Sequence, residues 1–156
     1  MMIPFADLSG ASRATPQSPD LSSGFTARVT LAAPPERVFR ELADLENLPR
    51  WAGGFCERVS LARGRWVALT SLGELFLALE AEERAGEITL RAGWDARELH
   101  ALPLRIASAD GGGTRVTFAV PRATDEGHAR LCRALGDEWP GLAARIGGGV
   151  SGRAGW

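Results

Sequence analysis

The sequence contains no lysine and no tyrosine, and it has only two cysteines and two histidines. Its formal net charge at pH 7 is -1, and its arginines are scattered among acidic residues. This balance predicts no electrostatic attraction to nucleic acid or to an anionic membrane surface. Cys56 and Cys132 are far apart and belong to no Cys-x-x-Cys or Cys/His motif. We therefore expect two buried thiols in a reducing compartment, and no disulfide, zinc site or redox centre.

Long apolar runs are also absent, which predicts no membrane span and no signal peptide and favours a cytoplasmic protein. Residues 1–23 are rich in Ser, Pro and Ala, and residues 147–156 are rich in Gly. These compositions predict a flexible N-terminal arm and a mobile C-terminal tail, with Trp156 unpacked at its end. The intervening residues 24–146 have the length of one domain.

The apolar residues between Thr124 and Ile146 recur every three or four positions, which predicts a long amphipathic helix. The hydroxyl of Thr124 is expected to cap its N-terminus. Pro140 lacks an N–H, and its ring clashes with the carbonyl of Gly136 in a regular helix. We therefore expect a kink between these two residues, or alternatively a helix that ends and restarts. The apolar stripe comprises Leu131, Leu135, Trp139, Leu142 and Ile146.

Upstream of this helix, apolar and polar residues alternate with the period of two that is typical of β-strands. The first strand is predicted at 25–31 and is followed by two short helices at about 35–43 and 45–50. Six strands follow at about 55–62, 65–71, 74–83, 87–94, 98–108 and 114–121. Short turns join them, four with glycine and one at Asp95-Ala96-Arg97, so neighbouring strands must be antiparallel. The element order predicts an α+β fold, in which a curved seven-stranded antiparallel sheet wraps around the long helix. The inner face is expected to be apolar and the outer face charged.

Three segments resemble the Bet v 1-like, START-related (SRPBCC) superfamily. They are AAPPERVFRELADLENLPRW from Ala32 to Trp51, GGGTRVTFAV, and GDEWPGLAARI near the end. The first resembles the first-helix signature of the superfamily, and the last resembles the C-terminal helix of its Hsp90-activator-like branch. The polyketide cyclase/dehydrase-like and coenzyme-Q-binding proteins belong to the same superfamily. The resemblance covers residues 24–146 and implies a helix-grip fold with an internal cavity. It also implies a hydrophobic ligand, such as a lipid, an isoprenoid quinone or a polyketide.

The candidate ligand contacts are the side chains expected to face this cavity. His100 is in phase with Leu102 and Leu104 and should reach the concave side, unless Pro103 introduces a bulge. There it could hydrogen-bond to a ligand or transfer a proton. His128, near the start of the long helix, is expected to be exposed. The tryptophans either wall the cavity or fill the core. The full set of expected contacts is Trp51, Phe55, Trp66, Leu77, Leu90, Trp94, His100, Leu104, Phe118, Leu131, Leu135 and Trp139.

Three functions remain open. The favoured one is non-catalytic binding of a small hydrophobic molecule by a monomer or homodimer. The second is a polyketide cyclase/dehydratase-like enzyme that uses His100, although the absence of tyrosine removes the phenol that some cyclases of the superfamily employ. The third is an Hsp90-activator-like interaction module. No metal ligands converge and no phosphate-binding loop is present, so no metal or cofactor is predicted. Arg28 is expected to be exposed, and Arg58 could hold a ligand carboxylate only if its face turned inward.

Overall fold

The computed structural model describes residues 24–146, where one antiparallel sheet packs against several helical segments. The predicted arm at 1–23 and the predicted tail at 147–156, including Trp156, lie outside the described residues. The strands are β1 (Phe25–Leu31), β2 (Cys56–Ala62), β3 (Arg65–Thr70), β4 (Gly73–Glu82), β5 (Glu87–Asp95), β6 (Glu98–Ser108) and β7 (Thr114–Val120). The α-helices are α1 (Pro35–Leu42), α2 (Leu48–Trp51), α3 (Glu126–Gly136) and α4 (Leu142–Arg145). Short 3-10 helices cover Leu45–Asn47 and Trp139–Gly141.

The seven strands form one sheet in the order β1-β7-β6-β5-β4-β3-β2. The strands from β2 to β7 are therefore a meander, and β1 joins the sheet beside β7. All neighbouring strands are antiparallel. The predicted α+β class, the seven-stranded antiparallel sheet and the C-terminal helical segment are thus confirmed. The local period of two in the sequence was sufficient to predict the meander, because short turns join the successive strands from β2 to β7.

Side chains alternate between the two faces of the sheet. In β4, Leu75 and Leu77 are buried on the inner face, whereas Glu74, Glu80 and Glu82 are exposed. The sequence left the phase of β3 open. The structure places Ala68 opposite Leu75 in the register, and Ala68 is completely buried, so its face points inward.

Pro103 does not disturb β6. It lies opposite Thr89 in continuous register, and the irregularity between β5 and β6 falls between Ala92 and Asp95. The considered alternative of a bulge at Pro103 is therefore wrong. Leu102 and Leu104 keep the expected inward phase and are buried.

The C-terminal helical segment differs from the expectation at its start and in its middle. Asp125, and not Thr124, is the N-cap, since its Oδ1 accepts the His128 backbone N–H at 2.8 Å. Helix α3 ends at Gly136, and the chain resumes as a 3-10 turn and then as α4. The predicted long C-terminal helical segment is confirmed over 126–145, and its α-helical hydrogen bonding is interrupted where the sequence placed the distortion, between Gly136 and Leu142. Pro140 sits in the 3-10 turn, where its missing N–H leaves no α-helical bond unmade.

The interior beside this break is filled by aromatic rings. Trp139 lies with its ring centroid 5.4 Å from Phe118 and 6.1 Å from Trp51. Its Nε1 donates to the Val116 carbonyl at 3.3 Å, and all three rings are almost fully buried. The deep cavity expected between the sheet and the C-terminal segment is therefore replaced at this end by a packed core.

Candidate ligand-binding site

An open groove of about 720 Å³ lies where α1 faces β4 and the turn between β2 and β3. Its volume is in the range of small-molecule sites in proteins. Phe39 of α1, Ala43 at its C-terminus and Leu45 of the first 3-10 helix line this space. The sheet contributes apolar residues of β3, β4, β6 and the β5–β6 turn, namely Trp66, Phe76, Leu77, Ala78, Leu79, Ala96 and Leu99.

The groove exists because β3 is shorter than β4. Their pairing runs from Thr70 opposite Gly73 as far as Trp66 opposite Leu77. The chain then reverses at Arg63 and Gly64, both of which have positive φ. Beyond Leu77, β4 continues to Glu82 without a partner on this side. The unpaired part of β4 therefore stays uncovered next to α1.

Four exposed charged residues border the groove, and they are Arg40, Asp44, Arg65 and Glu83. Two are basic and two are acidic, so their formal charges cancel. A groove with an apolar lining and a neutral border favours an uncharged or zwitterionic hydrophobic molecule over an ion.

A narrow cleft continues from the groove toward the core. It contains about 200 Å³ of empty volume but is too narrow to hold a water molecule. Asp44, Leu45 and Leu79 border both the groove and the cleft. These three residues form the throat between the two spaces. The inner end of the cleft is lined by Leu42, Leu48, Trp51, Leu90 and Leu104.

Trp51 contributes a buried polar atom, its indole Nε1, at the inner end of the cleft. It is only 2% exposed, and its indole Nε1 meets no acceptor among the described residues. A buried N–H without a partner costs free energy that a ligand acceptor could recover. The Trp51 backbone carbonyl accepts a hydrogen bond from Arg145 Nη1 at 3.3 Å. The same Nη1 lies 2.9 Å from Glu138 Oε1.

Glu138 connects two segments of the chain near Trp51 through hydrogen bonds. Its Oε1 also accepts the backbone N–H of Gly54 at 3.0 Å, and its side chain is only 10% exposed. A Cβ on Gly54 would lie 2.6 Å from Glu138 Oε2, so a larger residue there would displace the Glu138 carboxylate. The carboxylate therefore joins the α2–β2 loop to the chain between α3 and α4, and it positions the backbone around Trp51.

The sequence matches no protein-family model and no curated protein at a significant level. Similar solved structures include the Zhui aromatase/cyclase from Streptomyces sp. R1128, with 18% identity, a TM-score of 0.58, and coverage of 84% of this chain and 96% of that one. The di-domain aromatase/cyclase BexL shows 18% identity and a TM-score of 0.57 over 80% of this chain and 45% of that one. The Aha1 dimer from Colwellia psychrerythraea shows 13% identity and a TM-score of 0.57 over 80% of this chain and 97% of that one. The protein has the Bet v 1-like helix-grip fold. At these identities the similarity establishes the fold alone.

The helix-grip structure separates the expected contact residues into three groups. Trp66 and Leu77 line the groove, and the inner cleft is lined by Trp51, Leu90 and Leu104. The members of the second group line neither space and are fully buried in the core. They are Phe55, Phe118, Leu131, Leu135 and Trp139. The third group, Trp94 and His100, lies against the start of α3.

The two histidines are stacked on each other at this helix terminus, with ring centroids 5.1 Å apart. His128 is buried, so its expected exposure is wrong. Its Nδ1 accepts the Thr124 backbone N–H at 3.0 Å, and its Nε2 donates to the Ala101 carbonyl at 2.8 Å. Both ring nitrogens are therefore used within the protein, which identifies His128 as a structural histidine that joins β6 to α3.

His100 has weaker contacts. Its Nδ1 lies 3.5 Å from Thr124 Oγ1, and its Nε2 lies 3.8 Å from Asp125 Oδ1. Its side chain is 16% exposed. Neither histidine lines the groove.

Trp94 covers the same helix terminus. Its Nε1 donates to the Leu72 carbonyl at 3.1 Å, and the Arg130 guanidinium lies 5.3 Å from the centre of its ring. A Cβ on Gly127 would approach the Trp94 ring to 3.0 Å, so the glycine permits this close packing. Trp94 is 37% exposed and does not reach the groove.

Both cysteines are free and buried, as expected. Burial raises the pKa of the Cys56 thiol to about 11 and that of the Cys132 thiol to about 12. Both thiols are therefore protonated near neutral pH, and this disfavours a nucleophilic role.

Within residues 24–146, no helix is both long and apolar enough to cross a membrane. The same part of the chain contains no cluster of three or more His, Cys, Asp or Glu side chains suited to a metal ion. Arg58 is exposed on β2, so the considered inward orientation of this residue is wrong.

Sequence reasoning missed several groove residues. Phe39 and Leu79 lie on apolar faces that the sequence does predict, but their position in a groove depends on tertiary structure. One signal was present, since the predicted strands at 65–71 and 74–83 differ in length and thereby leave part of the longer strand unpaired.

Proposed function

We propose that this protein binds a small, mainly hydrophobic molecule in the groove beside α1. The observation that supports this proposal best is the mainly apolar lining of the groove, which shares Leu45 and Leu79 with the inner cleft. Burial of apolar ligand surface would supply the free energy, at about 25 cal/mol per Å². Of the residues expected from the sequence, Trp66 and Leu77 would contact the ligand in the groove. Trp51 would contact it only if the cleft widens.

The similarity to aromatase/cyclase structures makes a polyketide-type molecule one candidate ligand. A cyclase, however, needs a proton-transfer group next to the reacting atoms. Both histidines lie at the start of α3 and outside the groove, and the chain contains no tyrosine. Binding without catalysis is therefore the function that this groove supports best.

The test is a fluorescence titration with the neutral hydrophobic probe N-phenyl-1-naphthylamine. Ala43→Phe places a phenyl group at the groove, and it should weaken probe binding at least about tenfold, which is 1.4 kcal/mol. The control is Ala107→Phe, the same substitution at an exposed position on the outer face of the sheet. This control should bind the probe like the unmodified protein.

Equal binding by both variants would contradict the proposed position of the site, and no binding by the unmodified protein would contradict the proposal itself. Native mass spectrometry of the purified protein, followed by denaturing extraction, would then identify any co-purifying lipid, quinone or polyketide. Cytoplasmic localisation and the monomeric or homodimeric state remain predictions.

A further inference from the structure

The outer face of the sheet brings together three arginines that are far apart in the sequence. Arg28 of β1 lies opposite Thr117 of β7, and Thr117 lies opposite Arg105 of β6. Glu87 of β5 follows opposite Arg105 and completes this row across four strands. Arg115 precedes Thr117 by two residues and therefore projects from the same face.

The spacing of a sheet allows these side chains to converge. Neighbouring strands lie about 4.8 Å apart, and residues two apart along a strand lie about 7 Å apart. The three arginines therefore surround Thr117 within the reach of a flexible guanidinium side chain. They border a groove of about 910 Å³. The residues between them are short, namely Ala107, Thr117 and Ala119, so the guanidinium groups can fold over this floor.

The charges of this outer groove do not cancel. Arg105 Nη2 lies 2.9 Å from Glu87 Oε2, and these two side chains form an ion pair. Arg28 and Arg115 have no carboxylate within ion-pair distance among residues 24–146. Three arginines against one glutamate leave two uncompensated positive charges. The groove beside α1 differs in this respect, because the charges at its border cancel.

We propose that the outer groove is a second binding site, specific for a phosphate group. A guanidinium fork binds phosphate oxygens through two parallel charge-assisted hydrogen bonds, and several arginines can share one phosphate. A phosphate monoester carries close to two negative charges at neutral pH, which matches the charge of the groove. The Thr117 hydroxyl at the centre supplies a further donor. This site does not depend on the hydrophobic groove, because the two grooves share no lining residue.

The proposal is tested by titrating isotope-labelled full-length protein with inorganic phosphate and following the amide resonances by NMR. At low ionic strength, where screening is weak, the resonances of β1, β6 and β7 around Thr117 should shift in a saturable manner. The double variant Arg28→Gln/Arg115→Gln should weaken binding at least about tenfold, because it removes both uncompensated charges. Its unchanged melting temperature would show that the sheet remains folded.

The matched control is Arg84→Gln/Arg97→Gln, which removes the same charge from two exposed hairpin turns. It should bind phosphate like the unmodified protein. Absence of saturable shifts around Thr117, or an equal loss of affinity in the control, would overturn the proposal by showing that only overall charge matters.

The phosphate could belong to a soluble molecule or to a lipid headgroup, and a second experiment distinguishes these sources. Vesicles of phosphatidylcholine with phosphatidic acid are sedimented with each protein, and vesicles of phosphatidylcholine alone serve as the reference. Sedimentation that requires phosphatidic acid, and that is lost in Arg28→Gln/Arg115→Gln, would support a headgroup. Phosphate binding without vesicle binding would support a soluble phosphate ester. Absence of binding in both the phosphate titration and the vesicle sedimentation would overturn the proposed phosphate site.

Discussion

Replacement of Glu138 with alanine should destabilise the protein more than any exposed acidic substitution. The carboxylate holds two partners through Oε1, the Gly54 backbone N–H at 3.0 Å and Arg145 Nη1 at 2.9 Å. Both partners come from outside its own turn, so the loss of the carboxylate would disconnect the α2–β2 loop from the break between α3 and α4.

The expected magnitude follows from the burial of each partner. The partly buried Gly54 N–H would lose its acceptor, at a cost of about 1–2 kcal/mol. The Arg145 side chain is 37% exposed and can turn toward water, so the ion pair itself is worth at most about 1 kcal/mol. Loss of the buried methylenes adds about 1 kcal/mol. The free energy of unfolding should therefore fall by about 3 kcal/mol, and the melting temperature by roughly 6–12 °C.

Urea denaturation followed by circular dichroism measures this change. Asp137→Ala is the matched control, because it removes an exposed carboxylate from the adjacent position and should change the unfolding free energy by less than about 0.5 kcal/mol. Glu138→Gln keeps an acceptor for Gly54 and should cost only about 1 kcal/mol. A Glu138→Ala variant as stable as Asp137→Ala would refute the reasoning, since the carboxylate would then not be holding the two segments together.

Other properties of the structure lead to further predictions. His128→Leu should lower the unfolding free energy by about 2 kcal/mol, because a backbone donor and a backbone acceptor lose their partners, whereas His100→Leu should cost less than about 1 kcal/mol in the same denaturation assay. Burial raises the pKa of both thiols, and the resulting contribution to stability is complete below the unfolded-state pKa of 9.0. It is lost as the pH rises to about 11 for Cys56 and about 12 for Cys132, since the unfolded chain releases these protons first. Denaturation curves across this interval should therefore show a shallower decline in the Cys56→Ala/Cys132→Ala variant than in the unmodified protein; identical declines would contradict this interpretation.

The sequence was sufficient to predict the sheet, but not to predict the N-cap residue of α3 or the burial of His128. Each strand carries its own alternation, so its prediction requires no knowledge of distant residues. Thr124 and Asp125 are both good N-cap residues, and the sequence does not distinguish them. Which of the two residues becomes the N-cap depends on the ring of His128. Its Nδ1 accepts the Thr124 backbone N–H, and its Nε2 donates to the Ala101 carbonyl of β6. This contact is between distant parts of the chain and leaves no periodic pattern, which explains why the buried position of His128 was missed.

The break after Gly136 explains why the proposed binding site lies beside α1 instead of beside α3. The break directs the Trp139 side chain toward the inner face of the sheet. Its ring packs there on Phe118 and Trp51 and fills the interior at that end. Leu131 and Leu135 of α3 are completely buried in the same core. The groove beside α1 remains open, because β3 stops short of β4 there.

The two proposed sites are also independent of each other in space. The hydrophobic groove and the outer groove have no lining residue in common, and the outer groove is centred on Thr117 of β7. A small ligand in one groove is therefore not positioned to place its polar group in the other. It follows that Ala43→Phe should leave phosphate binding unchanged and that Arg28→Gln/Arg115→Gln should leave probe binding unchanged. Loss of both activities in either variant would mean that the two grooves respond to one shared change in the sheet.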